Sequence, residues 1–228
     1  MDAMRKIFSV LVLMLAAVAL QAQNPTTTWP YLYNDFMQGK VFFKDGSSKD
    51  YMVNVHILRS TLHFIEPGTD DIKEAKSKDV IVVNIGSDSF YSKQGKMLRA
   101  TATNQLGFVG EEVLADMAAL NSESGAAYGA SANSMSTMKL SSVDGAGPTA
   151  STNHMNLKNS KEDGKLIPLE KEYYLVTNGQ VYPATKKELE LFLTPEKKAG
   201  FKAFLKQNKI SWKSPESLLK IVDYINAK

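Results

Sequence analysis

The chain has 228 residues, 43% hydrophobic and 22% charged, the balance of a globular protein and not of a disordered or fibrous one. Twenty-seven Lys and Arg against 24 Asp and Glu leave a formal charge of +3, too small to imply nucleic acid as a partner. The complete absence of cysteine excludes disulfides, thiol nucleophiles, Cys-ligated zinc and iron–sulfur clusters, and three histidines leave little room for acid–base or metal chemistry.

At the N-terminus, Arg5 and Lys6 precede an apolar run from Ile7 to Leu20, followed by Gln21, Ala22 and Gln23. Charge, apolar stretch and small residue in that order predict a secretory signal peptide over residues 1–22, cleaved after Ala22 or Ala19. Fourteen residues fall short of the roughly 20 needed to span a bilayer, so no transmembrane helix is expected. The mature chain is expected to be exported, to the periplasm or cell surface of a Gram-negative bacterium.

Residues 23–121 read as a β-rich domain. Asp45-Gly46 separates Lys40-Val41-Phe42-Phe43 from Tyr51 to Ile57, where Val53, Val55 and Ile57 alternate with Asn54 and His56. Thr61 to Ile65 follows as a strand that Pro67-Gly68 stops. Val80 to Ile85 is a run of β-branched residues around Asn84 and predicts a strand buried on both faces. Further short strands, Ser89 to Tyr91 and Lys96 to Thr103, come with turn signals about ten residues apart, as in an antiparallel meander or sandwich. Glu111 to Leu120 fits a helix by propensity and a last strand nearly as well.

Residues 122–160 differ in kind. Twenty-six of these 39 residues are Ser, Ala, Gly, Asn or Thr, too little apolar surface to offset the entropy of ordering. A flexible low-complexity linker is expected there. Residues 161–228 return to order as a hairpin and a basic helical region. Tyr173 to Val176, Asn178-Gly179 and Gln180 to Tyr182 make the hairpin. Three helices follow, starting at Thr185 with Glu188, at Thr194-Pro195 and at Ser214-Pro215. In the third, Leu218, Ile221, Val222 and Ile225 share one face. The fold class is therefore α+β.

Candidate chemistry is sparse. If the Ile57 to Leu62 turn pairs the strands so that positions sum to 119, His56 lies directly opposite His63, on the face away from Val53 and Val55. Two imidazoles at about 5 Å are the start of a zinc or copper site that still lacks a third ligand. No other cofactor is implied. Asp70-Asp71 and Glu111-Glu112 are adjacent in sequence, so their side chains face apart, and they read as solvated turn residues and not as catalytic dyads. The aromatics Trp29, Tyr31 and Tyr33 form either a stacking platform for a glycan or a packed lead-in to the sheet. Between Lys186 and Lys228 there are ten Lys, no Arg and five acids. Lys198, Lys202 and Lys206 suit anionic lipid or polysaccharide better than base reading.

Three stretches together resemble a group of exported Gram-negative bacterial proteins of unknown function. They are Trp29-Pro30-Tyr31-Leu32-Tyr33 with Asp35-Phe36 and Asp45-Gly46, then Ala126-Ala127-Tyr128-Gly129, then Tyr173-Tyr174 with Asn178-Gly179 and the Lys-rich tail. The resemblance implies export, a β-rich front and a helical tail, and no activity. The expectation is an exported, non-enzymatic binding or assembly module that meets an envelope protein, a glycan or the membrane periphery, in an oligomeric state left open. The alternative is an exported hydrolase using a metal at His56 and His63.

Overall fold

The computed structural model describes residues 30–122, 152–153, 155 and 167–227. Eight strands follow one another: β1 (Met37–Phe43), β2 (Ser48–His56), β3 (Thr61–Ile65), β4 (Asp71–Glu74), β5 (Val80–Ile85), β6 (Asp88–Lys93), β7 (Lys96–Asn104) and β8 (Gly107–Ala115). Next come the short helix α1 (Met117–Ser122), β9 (Thr152–Asn153), the hairpin β10 (Leu169–Thr177) and β11 (Gln180–Pro183), and the helices α2 (Lys186–Phe192), α3 (Pro195–Gln207) and α4 (Pro215–Asn226). The predicted α+β class is what is found. The linker expected over 122–160 lies outside the described residues, apart from its first residue and the isolated positions above.

All pairings are antiparallel, in one sheet of order β11-β10-β8-β7-β6-β5-β1-β2-β3-β4-β9. β10 pairs with β8 along its whole length, from Leu169 opposite Ala115 to Thr177 opposite Gly107. The C-terminal hairpin thus completes the N-terminal sheet. Its turn uses Asn178 and Gly179, both at positive φ (50° and 75°), the backbone that matches strand twist in a two-residue hairpin.

The sheet curls. At the β2–β3 tip, Met97 N donates to both Ser60 O and Ser60 Oγ at 3.0 Å, and Ala115 N donates to Ile57 O at 2.9 Å. The tip of one half is thereby tied to β7 and β8 of the other. Inside the curl, Val41, Val53, Val55 and Leu62 pack against Val83, Ile85, Phe90 and Met97, all buried. Farther along the same face, Val109 and Leu175 are covered by Leu189 of α2, Phe201 of α3 and Leu218, Ile221 and Val222 of α4. Each such side chain fully buried contributes about 1.5–3 kcal/mol. The helices begin where the sequence marks them: Thr185, Thr194 and Ser214 accept from the backbone N–H of Glu188, Lys197 and Ser217.

Two sequence expectations change. Val80 to Ile85 is not buried on both faces: Val80, Val83 and Ile85 turn inward while Ile81 and Asn84 face water. An irregularity opposite Phe42 and Phe43 places Val80 and Val83, three apart, on the inner side. The ambiguous stretch after Gly107 is a strand to Ala115 and only then a helix, because pairing with both β7 and β10 overrides its helical propensity.

Candidate functional site

The lead-in to β1 builds the corner that holds the histidines. Beyond Val53 the β1 side of β2 is vacant, and Tyr31 takes it, bridging to His56. Leu32 N donates to Val55 O and Ile57 N to Pro30 O, each at 2.9 Å. Between Tyr31 and Met37 the chain bulges, and the buried Asn54 amide fills the bulge. Its Oδ1 accepts from Tyr33 N at 3.1 Å, and its Nδ2 donates to Tyr33 O and Asp35 O at 2.9 Å. Tyr31 is fully buried, packed edge-on against Phe36, His56 and His63. The Tyr33 hydroxyl donates to Asp88 Oδ2 at 2.6 Å. Tyr31 is thus packed into the lead-in, while the half-buried Tyr33 ring stands edge-on to Phe90 at 6.2 Å. Trp29 lies outside the described residues.

The histidine register differs from expectation. Positions across β2 and β3 sum to 117, so His56 faces Thr61 and Asn54 faces His63. The turn is Ile57 to Ser60, with Ser60 at φ 53°. A shift of two residues keeps both histidines on one face, now diagonal, with their rings stacked at 4.7 Å and 11° between planes. His63 lies opposite Glu74 of β4, with Nε2 at 3.5 Å from the carboxylate. The Tyr31 hydroxyl and His63 Nδ1 are 2.9 Å apart. With the hydroxyl donating, the ring proton sits on Nε2 and faces Glu74. The His63 ring, and then Arg59 beyond it, hold the Glu74 carboxyl below its ordinary value.

His56 is 1% exposed, and neither ring nitrogen has a hydrogen-bond partner among the described residues. Burial first, then the neighbouring His63 and Arg59, push its pKa down to about 3, so the ring is neutral. Glu74 is the third group that local spacing did not reveal. β4 is four residues long, too short for a period to show, and only sheet order puts it beside His63. Parallel rings aim their nitrogens along parallel planes, whereas a shared metal needs them to converge at about 2.0–2.1 Å. Among the described residues, no three His, Cys, Asp or Glu side chains gather to hold a metal ion.

The Glu111-Glu112 pair is not a solvated turn. The two face apart as adjacent strand residues must, yet both are buried. On one face Glu111 ion-pairs with Arg99 across β7, with Lys171 at 3.4 Å, and accepts from the Tyr173 hydroxyl at 3.3 Å. Arg99 also lies 3.5 Å from Asp88. Burial alone would lower the Arg99 pKa; Glu111 foremost, with Asp88 and Tyr33, outweighs it and holds the pKa above its ordinary value. On the other face Lys96 Nζ donates to Glu112 Oε2 at 2.6 Å and sits 5.0 Å over the Tyr174 ring. These carboxylates brace the sheet and are bound up by their partners.

Lys198, Lys202 and Lys206 are exposed along one stripe of α3, beside the face that buries Phe201. Just before α3, Leu191 and Phe192 at the end of α2 are 76% and 56% exposed, the most exposed large apolar side chains among the described residues. Among the described residues, no helix is long and apolar enough to cross a membrane, which leaves membrane passage by strands unaddressed. No family model, curated protein or solved structure matches the chain.

Proposed function

We propose that the protein is an exported, non-enzymatic binding or assembly module of the Gram-negative cell envelope that docks peripherally through the outer side of α2 and α3. The observation that carries this reading is that the largely exposed Leu191 and Phe192 end α2 just ahead, in sequence, of the exposed point-charge lysines Lys198, Lys202 and Lys206 of α3. Apolar side chains entering a headgroup layer beside lysines that meet its anionic charge is the physics of peripheral attachment. Each lysine near such a surface contributes about 1 kcal/mol. An acidic glycan or envelope protein would meet the same lysines. The buried polar groups support the same reading: the carboxylates most enclosed in the sheet are ion-paired to Arg99, Lys96 and Lys171. A metal-dependent hydrolase at His56 and His63 has less support, because their nitrogens do not converge.

Fractionation of the untagged protein tests it. Recovery with the envelope, release by high salt, and loss of attachment in a Leu191→Ser/Phe192→Ser variant are expected. A freely soluble exported protein at low salt would overturn the docking, and full-length recovery in the cytoplasm would overturn export.

A further inference from the structure

The inner face of the curled sheet is not filled to its end. At the β2–β3 tip the curl is laced shut by the Ser60–Met97 and Ile57–Ala115 hydrogen bonds, and the side chains there are fully enclosed. At the opposite end, near the β1–β2 turn, Phe43, Tyr51 and Phe64 turn to the same inner side yet remain only partly buried. They wall a cavity of about 250 Å³, in contact with the buried Val41 and Leu62. The Tyr51 and Phe64 rings stand 4.8 Å apart. Charge enters only through Glu74, Lys76 and Asp79, and Glu74 is turned toward His63 and Arg59.

A second, polar depression of about 420 Å³ shares Phe43 and Asp79 with this cavity, so the two adjoin. It is lined by Lys44, Lys49, Asp45 and Ser47. Asp45 accepts from both the backbone N–H and the hydroxyl of Ser47, which with Lys49 favour its charged form, so a ligand would meet Lys44 and Lys49 beside the carboxylates of Asp45 and Asp79. An apolar hole beside a shelf bearing both signs of charge has the layout of an amphiphile. We propose that this mouth binds a single-chain amphiphile, its alkyl end between Phe43, Tyr51 and Phe64 and its zwitterionic head on the shelf of Lys44, Lys49 and Asp79. The proposal stands independently of docking through α2 and α3.

Size sets the chain. At about 30 Å³ per water-sized group, the hole takes roughly eight such groups, the end of one alkyl chain and not a whole lipid. The open mouth of a curled sheet is a common place for such a site.

Octylphosphocholine, titrated below its micelle concentration into the mature protein and followed by calorimetry, tests the assignment. Saturable one-to-one binding is expected. Affinity should rise about fourfold per methylene from four carbons to about eight and then level off. Ala75→Leu, which adds bulk at the cavity wall without touching the Ala75 N to Leu62 O bond, should weaken binding at least tenfold with an unchanged circular dichroism spectrum. No saturation, affinity independent of chain length, or equal binding of phosphocholine alone would overturn the proposal. Should Ala75→Leu fail to fold, the chain-length series decides by itself.

Discussion

Two polar clusters are buried in the same sheet and are treated in opposite ways. Around Arg99, opposite charges meet: Glu111 and Asp88 face the guanidinium, and Lys171 and Tyr173 take up the second Glu111 oxygen. Around His56, the ring is held neutral among His63, Thr61 and Tyr31, and both nitrogens lack partners among the described residues. The first cluster keeps charge inside by pairing it with opposite charge, although Arg99 Nε has no hydrogen-bond partner among the described residues. The second admits a titratable ring only by denying it a proton. The first is therefore sensitive to losing a partner, the second to gaining a proton.

The strongest way to break the contrast is to strip one partner from the ion-paired cluster. Glu111→Ala leaves Arg99 partly buried without its main counter-charge and should cost about 3–5 kcal/mol in urea unfolding, whereas Arg99→Met with Glu111→Leu should recover much of that loss. Asn54→Ala should follow, at about 2–3 kcal/mol, because the amide serves several backbone groups of the Tyr31-to-Met37 bulge. Faster hydrogen exchange at Leu32 and Tyr33 would locate the damage.

Acid acts on the other cluster. His56 has an ordinary value near 6.5 and a folded value of about 3. The unfolded chain therefore binds the proton first, and stability is lost as pH falls between those values. By pH 5 the loss from this ring is about 2 kcal/mol. In His56→Leu that part of the pH dependence should vanish, measured as the change in urea midpoint between pH 7 and pH 5. The smallest effect is the same variant at pH 7: a change within about 1 kcal/mol, in the stabilising direction, since two unsatisfied nitrogens leave with the ring. A large destabilisation there would mean that His56 has a partner that the geometry does not show.

Local pattern made most strands and all three C-terminal helix starts legible. Val53, Val55 and Ile57 alternate, and Thr185, Thr194 and Ser214 announce their helices. What escaped was set by distant contacts. The β2–β3 strands were readable, but their register depends on where the turn closes, and Ser60 at positive φ puts that closure at Ile57 to Ser60. That moved His63 off His56 and onto Asn54. The burial of Glu111 and Glu112 was invisible because their partners sit on other strands: Arg99 and Lys96 on β7, Lys171 on β10. Nothing near Asp71 to Glu74 shows that this short strand lies against His63. The docking of β10 on β8 is likewise a matter of topology, since the hairpin alone is equally compatible with a separate unit.

Strand order also carries a consequence for how the chain assembles. β1 to β4 and β5 to β8 are two runs of consecutive hairpins, and β1 is the strand that joins them, pairing with β2 on one side and β5 on the other. Hairpins between sequence neighbours close in roughly 1–10 μs, whereas joining distant segments pays loop closure first and is slower. The β1–β5 seam is then the slow step for the front of the molecule, and β10 comes later still, across the long stretch from Ala115 to Leu169. Until it arrives, β8 presents a bare row of amides and carbonyls to any other chain. The window for misassembly is the interval before the C-terminal hairpin closes that edge.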